Sequence, residues 1–368
     1  VTIAPPLDLS PRIASLDPDE FEIPAGREEE WRFVPIDHVQ AFFHPQVDAG
    51  MVNVDPAEFT SVIPIDQLKD DWLPTDRPAA IARAHASQAI VVDVPANTVV
   101  DEPIVLHLRN SAAMNYGHIF VRTGAHSAAT VIIEHDITSN VAGAIVTHVG
   151  DGASLTLVNL VEQGDAQAML QWHNRVGRDA SLTGASVILD GSFVRILPTV
   201  TYAGPGGNAD LYGVFLADGN NFYEQRIFVE HVAPHCRSNV IYKGALSGAH
   251  AHTVWIGDVL VRRTAIGTDT YEMNRNLLLT DGPRADSVPN LELETGDVAS
   301  AGHASATGRF DDLQLFYLMS RGLTEAQARQ MVVRGFFSDV IRRVPSVQWQ
   351  EQLQSRVDRR LGMVAEDE

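Results

Sequence analysis

Apolar and polar residues follow the short period of strands along most of this chain. Between about residues 90 and 298, runs such as Ala89–Val94, Ile104–Leu108, His118–Arg122 and Thr130–Glu134 are rich in β-branched residues, and Gly, Asn, Asp and Ser separate them. No long stretch in this region follows the 3.6-residue period of a helix. Within it the sequence repeats: Val149-Gly-Asp-Gly-Ala-Ser-Leu-Thr156 returns as Val176-Gly-Arg-Asp-Ala-Ser-Leu-Thr183, and Gly124, Gly150, Gly177 and Gly204 are spaced 26, 27 and 27 residues apart. A unit of that size cannot bury an apolar face alone, so such units stack. Each holds two or three short β runs, such as Ser154–Val161, joined by small residues that permit tight corners. A propeller blade needs about 40 residues and hairpin turns, and Asn-Gly or Asp-Gly pairs are infrequent. The pattern predicts a mainly β fold with a right-handed parallel β-helix over residues 91–303.

The flanks read differently. Of 19 prolines, 13 lie between Pro5 and Pro103, and each removes a backbone donor and restricts its predecessor. Residues 1–90 are therefore expected to form an irregular, partly helical arm with a short helix around Pro78–Ala89. After Gly308 the pattern turns helical. Asp311–Arg321 carries Leu313, Phe316, Tyr317 and Leu318 before Gly322; Thr324 and Gln327 form a capping box for a second helix ending near Arg343, before Pro345. Trp349, Leu353, Val357 and Leu361 then mark one apolar stripe of a third helix. Residues 304–368 form the C-terminal helical region.

Charge and composition narrow the function. The formal charge of −20 argues against phosphate-driven nucleic-acid binding and against anionic membrane surfaces. Lys69 and Lys243 are the only lysines, and neither sits in a Gly-Lys-Ser/Thr loop, so the chain does not carry a P-loop ATPase site. Cys236 is the only cysteine, which excludes an internal disulfide and a multi-thiolate metal or cluster site supplied by this chain alone. It reads as a small buried residue. No signal-like or membrane-length apolar run occurs in the sequence, and the expectation is a cytoplasmic protein.

Several constellations imitate active sites. Gly244–His252 has the Gly-x5-His-x-His opening of a cupin metal site, but the Glu expected three to four residues later is replaced by Ile256 and Gly257. His250 and His252 then read as two residues on one face of a strand. His231, His235 and Cys236 surround Pro234 in a β pattern that does not bring them together as helix neighbours. Glu134/Asp136 and Glu292/Glu294 alternate as carboxylate pairs. Polysaccharide-active β-helix enzymes use such faces, so a carbohydrate-active enzyme is the alternative function, with a cupin-like metalloenzyme behind it; solvated strand faces are the simpler account of the pairs.

The segment Tyr271–Phe337 carries an ordered set of motifs. It contains Tyr271-Glu-Met-Asn-Arg-Asn-Leu-Leu-Leu279, Pro289-Asn-Leu-Glu-Leu-Glu294, Asp297-Val298, Gly302-His303, Thr307-Gly308, Gln314-Leu-Phe-Tyr317 and Ser320-Arg-Gly-Leu-Thr-Glu-Ala-Gln-Ala-Arg329. This resembles the SufB/SufD family of iron–sulfur cluster assembly proteins. In the SufB branch a cysteine follows the valine. Here that position falls on Ser300 or Ala301, and the stretch before the histidine is one residue longer, which resembles the SufD branch.

The resemblance implies a non-catalytic scaffold subunit that pairs with SufB through its β-helix and binds the SufC ATPase through its C-terminal helices. It implies that His303 supplies a nitrogen ligand to iron or a nascent Fe–S cluster in the complex, with no cofactor held tightly by the chain alone. Phe316, Tyr317, Arg321, Phe336 and Phe337 are the candidate ATPase-docking residues, since aromatic and arginine side chains dominate interface hot spots. An open solenoid edge also suits a homodimer in isolation.

Overall fold

The computed structural model describes residues 13–362 other than 56, 136, 137, 163, 310 and 345. Asp136 and Pro345 thus lie outside the described residues. From Gln88 to Arg309 the chain winds through two parallel walls, taking one strand in each wall per coil. The first wall stacks Gln88–Val94, Met114–Thr123, Asn140–Val149, Gln167–Val176, Phe193–Tyr202, Phe222–His231, His252–Val261 and Arg284–Leu293. The second stacks Ile104–Arg109, Ala128–His135, Ser154–Val161, Ser181–Ile188, Asn208–Ala217, Arg237–Leu246, Thr268–Leu278 and Val298–Arg309. The parallel β-helix is thus present, and it extends to Arg309 rather than stopping at residue 303.

Its corners explain the repeat. Each corner carries a left-handed residue one coil from the next: Asn97, His126, Gly152, Asp179, Gly206, His235 and Gly267 all have positive φ. Their amides bond across coils, as in His126 to the Asp151 carbonyl at 2.9 Å and His235 to the Ile266 carbonyl at 2.8 Å. His235 is therefore a corner residue and not part of a metal cluster. At Gly150, a Cβ would press on the Thr123 carbonyl and the Ala125 amide, so close backbone approach requires glycine there.

Both walls are covered. Leu106, Val131, Leu157, Trp172, Val194, Phe215 and Trp255 fill the space between them. On the outer face of the first wall, Trp31, Phe42 and Phe43 of the arm pack against Tyr116, Met169, Phe193 and Ile256. The arm contains short 3-10 turns and one helix, α1 (Arg77–His85), capped by Asp76, whose side chain accepts from the Ala79 amide at 2.9 Å. The fully buried Arg195 ties this arm down: it donates to Asp76 at 3.0 Å and to the Glu30 carbonyl at 3.2 Å, and lies 4.0 Å from the centroid of Trp31.

The remaining helices are α2 (Asp312–Ser320), α3 (Glu325–Ile341) and α4 (Val347–Arg360). The Thr324–Gln327 capping box is present on α3. Val333, Phe337, Val340, Trp349, Leu353 and Val357 cover the outer face of the second wall at Ile132, Val158, Leu160, Val187 and Val214. Strands buried on both faces explain near-continuous apolar runs such as Leu155–Val161. Arg356 reaches from α4 to Glu134 and Glu162, so Glu134 is a buried anchor rather than a solvated carboxylate. Glu294 is paired with Arg262 at 3.0 Å.

Candidate functional site

The last coil differs from those below it. Arg284–Leu293 and Val298–Arg309 end their respective walls, and among the described residues no strand pairs with their outer edges. Val298–Arg309 lies parallel to Thr268–Leu278, with Thr268 opposite Val298 and Asp269 opposite Ser300. Ala299 is thus the extra residue of a bulge. This bulge absorbs the additional residue before the histidine and sets His303 opposite Glu272.

Register partners in a parallel ladder share a face. Glu272 is buried at 1% side-chain exposure, whereas His303, one rung further out, is 44% exposed. His303 Nδ1 lies 3.8 Å from Glu272 Oε1. Both carboxylate oxygens of Glu272 lack a hydrogen-bond partner. Burial, reinforced by nearby Asp258 and opposed by the Asn290 backbone, pushes the Glu272 carboxyl up to about 8. Asp258 accepts from Asn290 Nδ2 at 2.7 Å and lies 3.6 Å from Arg226 Nε.

Around this pair the interior is polar. Ser287 donates to Asn274 Oδ1 at 2.6 Å, while Asn276 Nδ2 donates to the same oxygen at 2.7 Å and to Thr307 Oγ1 at 3.3 Å. Among the described residues no group of three or more His, Cys, Asp or Glu side chains gathers as a metal site. The arrangement offers one solvent-facing imidazole backed by one carboxylate, which can contribute to a coordination sphere completed from outside.

The docking candidates separate into two sets. On α2, Phe316 is 71% and Tyr317 56% exposed, next to exposed Leu313 and Met319. Arg321 lies over the Tyr317 ring, 5.1 Å from its centroid. Phe337 is fully buried in the contact between α3 and the second wall, so its aromatic ring serves packing and is not available at a surface. Phe336 is half-buried beside it, under the Lys243 ammonium 4.7 Å from its ring centroid. Sequence reasoning did not separate these adjacent phenylalanines, because both follow the helical pattern.

The decoys resolve into structure. His250 lies in the turn before the strand rather than on it, and His252 bonds to Asp286 at 2.7 Å. Cys236 is buried, with its thiol pushed up by burial, as expected of a packing residue. Glu272 sits within the Tyr271–Leu279 motif, whose residue types do not mark it out from its neighbours. Alternation with Asn274 and Asn276 places it on their inward face, and that parity was the available signal.

The family model described as "SUF system FeS cluster assembly, SufBD core domain" matches residues 106–336. An iron-sulfur cluster assembly SufBD family protein of Mycobacterium tuberculosis is 43% identical over 96% of this chain and 94% of its own length. One of Mycobacterium leprae is 42% identical over 95% and 93%. The iron-sulfur cluster assembly protein SufD of Escherichia coli is 23% identical over 92% of this chain and 89% of its own. The match spans most of the β-helix, the mouth with His303 and the start of the helical cover, and the chain belongs to the SufBD family of iron–sulfur cluster assembly proteins.

Proposed function

We propose that the chain is the SufD-type subunit of a cytoplasmic assembly complex, paired with a SufB-type subunit through its last coil and joined to a SufC-type ATPase through α2. One observation carries this reading: both walls stop in long strands whose outer edges have no partner among the described residues, at the end that bears His303, and α2 with its exposed aromatics follows directly. Unpaired strand edges accept a further strand through backbone hydrogen bonds. Phe316 and Tyr317 supply exposed aromatic anchors. In this role the chain performs no catalysis. ATP hydrolysis is supplied in trans, and iron or a nascent cluster is cargo received at the subunit seam, where His303 offers its imidazole.

Co-expression with SufB-type and SufC-type subunits, followed by purification and mass measurement, tests the assignment. A ternary complex is expected, with ATPase recovery lost in Phe316→Ala/Tyr317→Ala. His303→Ala should assemble normally and load less iron and sulfide. A chain that recovers neither subunit, or that appears only as a homodimer in their presence, overturns the SufD-type reading; unchanged loading in His303→Ala removes the role of that residue.

A further inference from the structure

The carboxyl group of Glu272 is in an unusual position for a group with no side-chain hydrogen bond. It is buried within the solenoid, both oxygens are unbonded, and the surrounding Asn274, Asn276, Ser287 and Thr307 bond among themselves. Leaving a buried polar group unbonded is costly. Room for it is made across the interior by Gly257, where a Cβ would collide with Glu272 Oε2. The other oxygen, Oε1, faces His303 Nδ1 at 3.8 Å. That gap is too long for a hydrogen bond. It suits two donors on one ion: with ligand distances of about 2.1 Å, donor atoms sharing a first-row metal lie about 3.0–4.2 Å apart.

We propose that Glu272 and His303 form a two-donor half-site for a divalent first-row metal ion at the mouth of the solenoid. Imidazole nitrogen with carboxylate oxygen suits Fe2+ and its neighbours. The metal displaces the proton that burial favours on Glu272, Asp258 adds negative charge nearby, and the exposed side of His303 leaves the remaining positions to water or to a partner subunit's donors. The inference deepens the role given to His303 above, and adds Glu272 as a ligand.

The test is titration of the purified full chain with Co2+, followed by visible absorption and by paramagnetic broadening of the His303 imidazole resonance, identified by its loss in His303→Ala. Saturable binding of one ion at this position below about 1 mM is expected, weakened at least about tenfold in both Glu272→Gln and His303→Ala. Absence of His303 broadening in the wild-type chain, or retention of full affinity in Glu272→Gln, overturns the site. Should Glu272→Gln not fold, Glu272→Asp keeps the charge and withdraws it by one methylene; wild-type affinity there overturns the site equally. The two readings fail separately. Cobalt lost in both variants with normal cluster loading of the His303→Ala complex removes the assembly role and leaves the metal site, whereas impaired loading with cobalt binding indifferent to Glu272 does the reverse.

Discussion

The two ends of the solenoid treat the same problem in opposite ways. At the N-terminal end, Thr60–Pro64 runs antiparallel to Gln88–Val94, and Asn53–Val54 antiparallel to Ile104–Arg109. These short strands reverse direction and stop the stack, a means by which sheets blunt their edges. At the C-terminal end, strands of 10 and 12 residues finish the walls in parallel pairing, interrupted in the second wall by the bulge at Ala299, and among the described residues no further strand pairs with them. The interior changes in step, from Leu106 and Val131 near the closed end to Glu272, Asn274 and Asn276 near the open one. A repeated wall thus keeps its strand edges paired along its length and leaves them open, among the described residues, only where the repetition ends.

The largest expected effect breaks this difference at the open edge. Successive amides in a strand point to opposite sides, so Ala304 and Ser305 contribute one N–H to the Thr268–Leu278 ladder and one to the free edge. Proline removes a donor and is tolerated on an edge strand only where its missing N–H faces outward. Of Ala304→Pro and Ser305→Pro, one should lower the melting temperature of the isolated chain. The other should leave it near wild type yet weaken association with the SufB-type partner by about a hundredfold, corresponding to about 3 kcal/mol, measured by calorimetry. Two variants that both associate normally would show that strand pairing at this edge does not join the subunits.

A second contrast compares interior leucines near each end. Leu106 is fully buried between the walls, whereas Leu291 only partly covers that core. Leu106→Ala should cost about 2–5 kcal/mol in urea denaturation and leave partner affinity intact once folded. Leu291→Ala should cost about 1 kcal/mol or less in the isolated chain, with its greater effect on association. Equal losses of stability would mean that the last coil is as well sealed as the first.

The contrast between ends also marks how far the sequence could be read. The coil spacing is 27 residues from Ser181 to Asn208, then 29 to Arg237 and 32 to Asp269. The repeat is therefore plain in the early coils and fades as lengthening loops shift later corners, although the strands keep their register. Capping residues are local, so Thr324 with Gln327 located the start of α3 correctly. The motif points to His303, which lies half-exposed on the last strand. It does not point to the buried neighbour Glu272, because which face of a strand points inward depends on the opposite wall. Arg195 and Arg356 escaped for a related reason: each pairs with a carboxylate more than 100 positions distant, and neither has a spacing signature.

A pH contrast tests how dry the sealed coils are. His135 bonds to Asn159 at 2.7 Å and His231 to Ser238 at 2.9 Å, and both rings are enclosed between the walls. Burial drives them down to about 4 and about 3, respectively. The unfolded chain, with histidines near 6.5, takes up protons that the folded chain refuses, so stability is full above about pH 6.5 and declines as pH falls toward the folded values. At pH 5 each histidine should remove about 2 kcal/mol relative to pH 7. Comparing urea midpoints at the two pH values isolates this contribution, since His135→Gln and His231→Gln should each flatten the acid-side slope by one proton's share. A slope unchanged by both substitutions would mean that water reaches these rings, and that the closed part of the solenoid is no drier than its mouth.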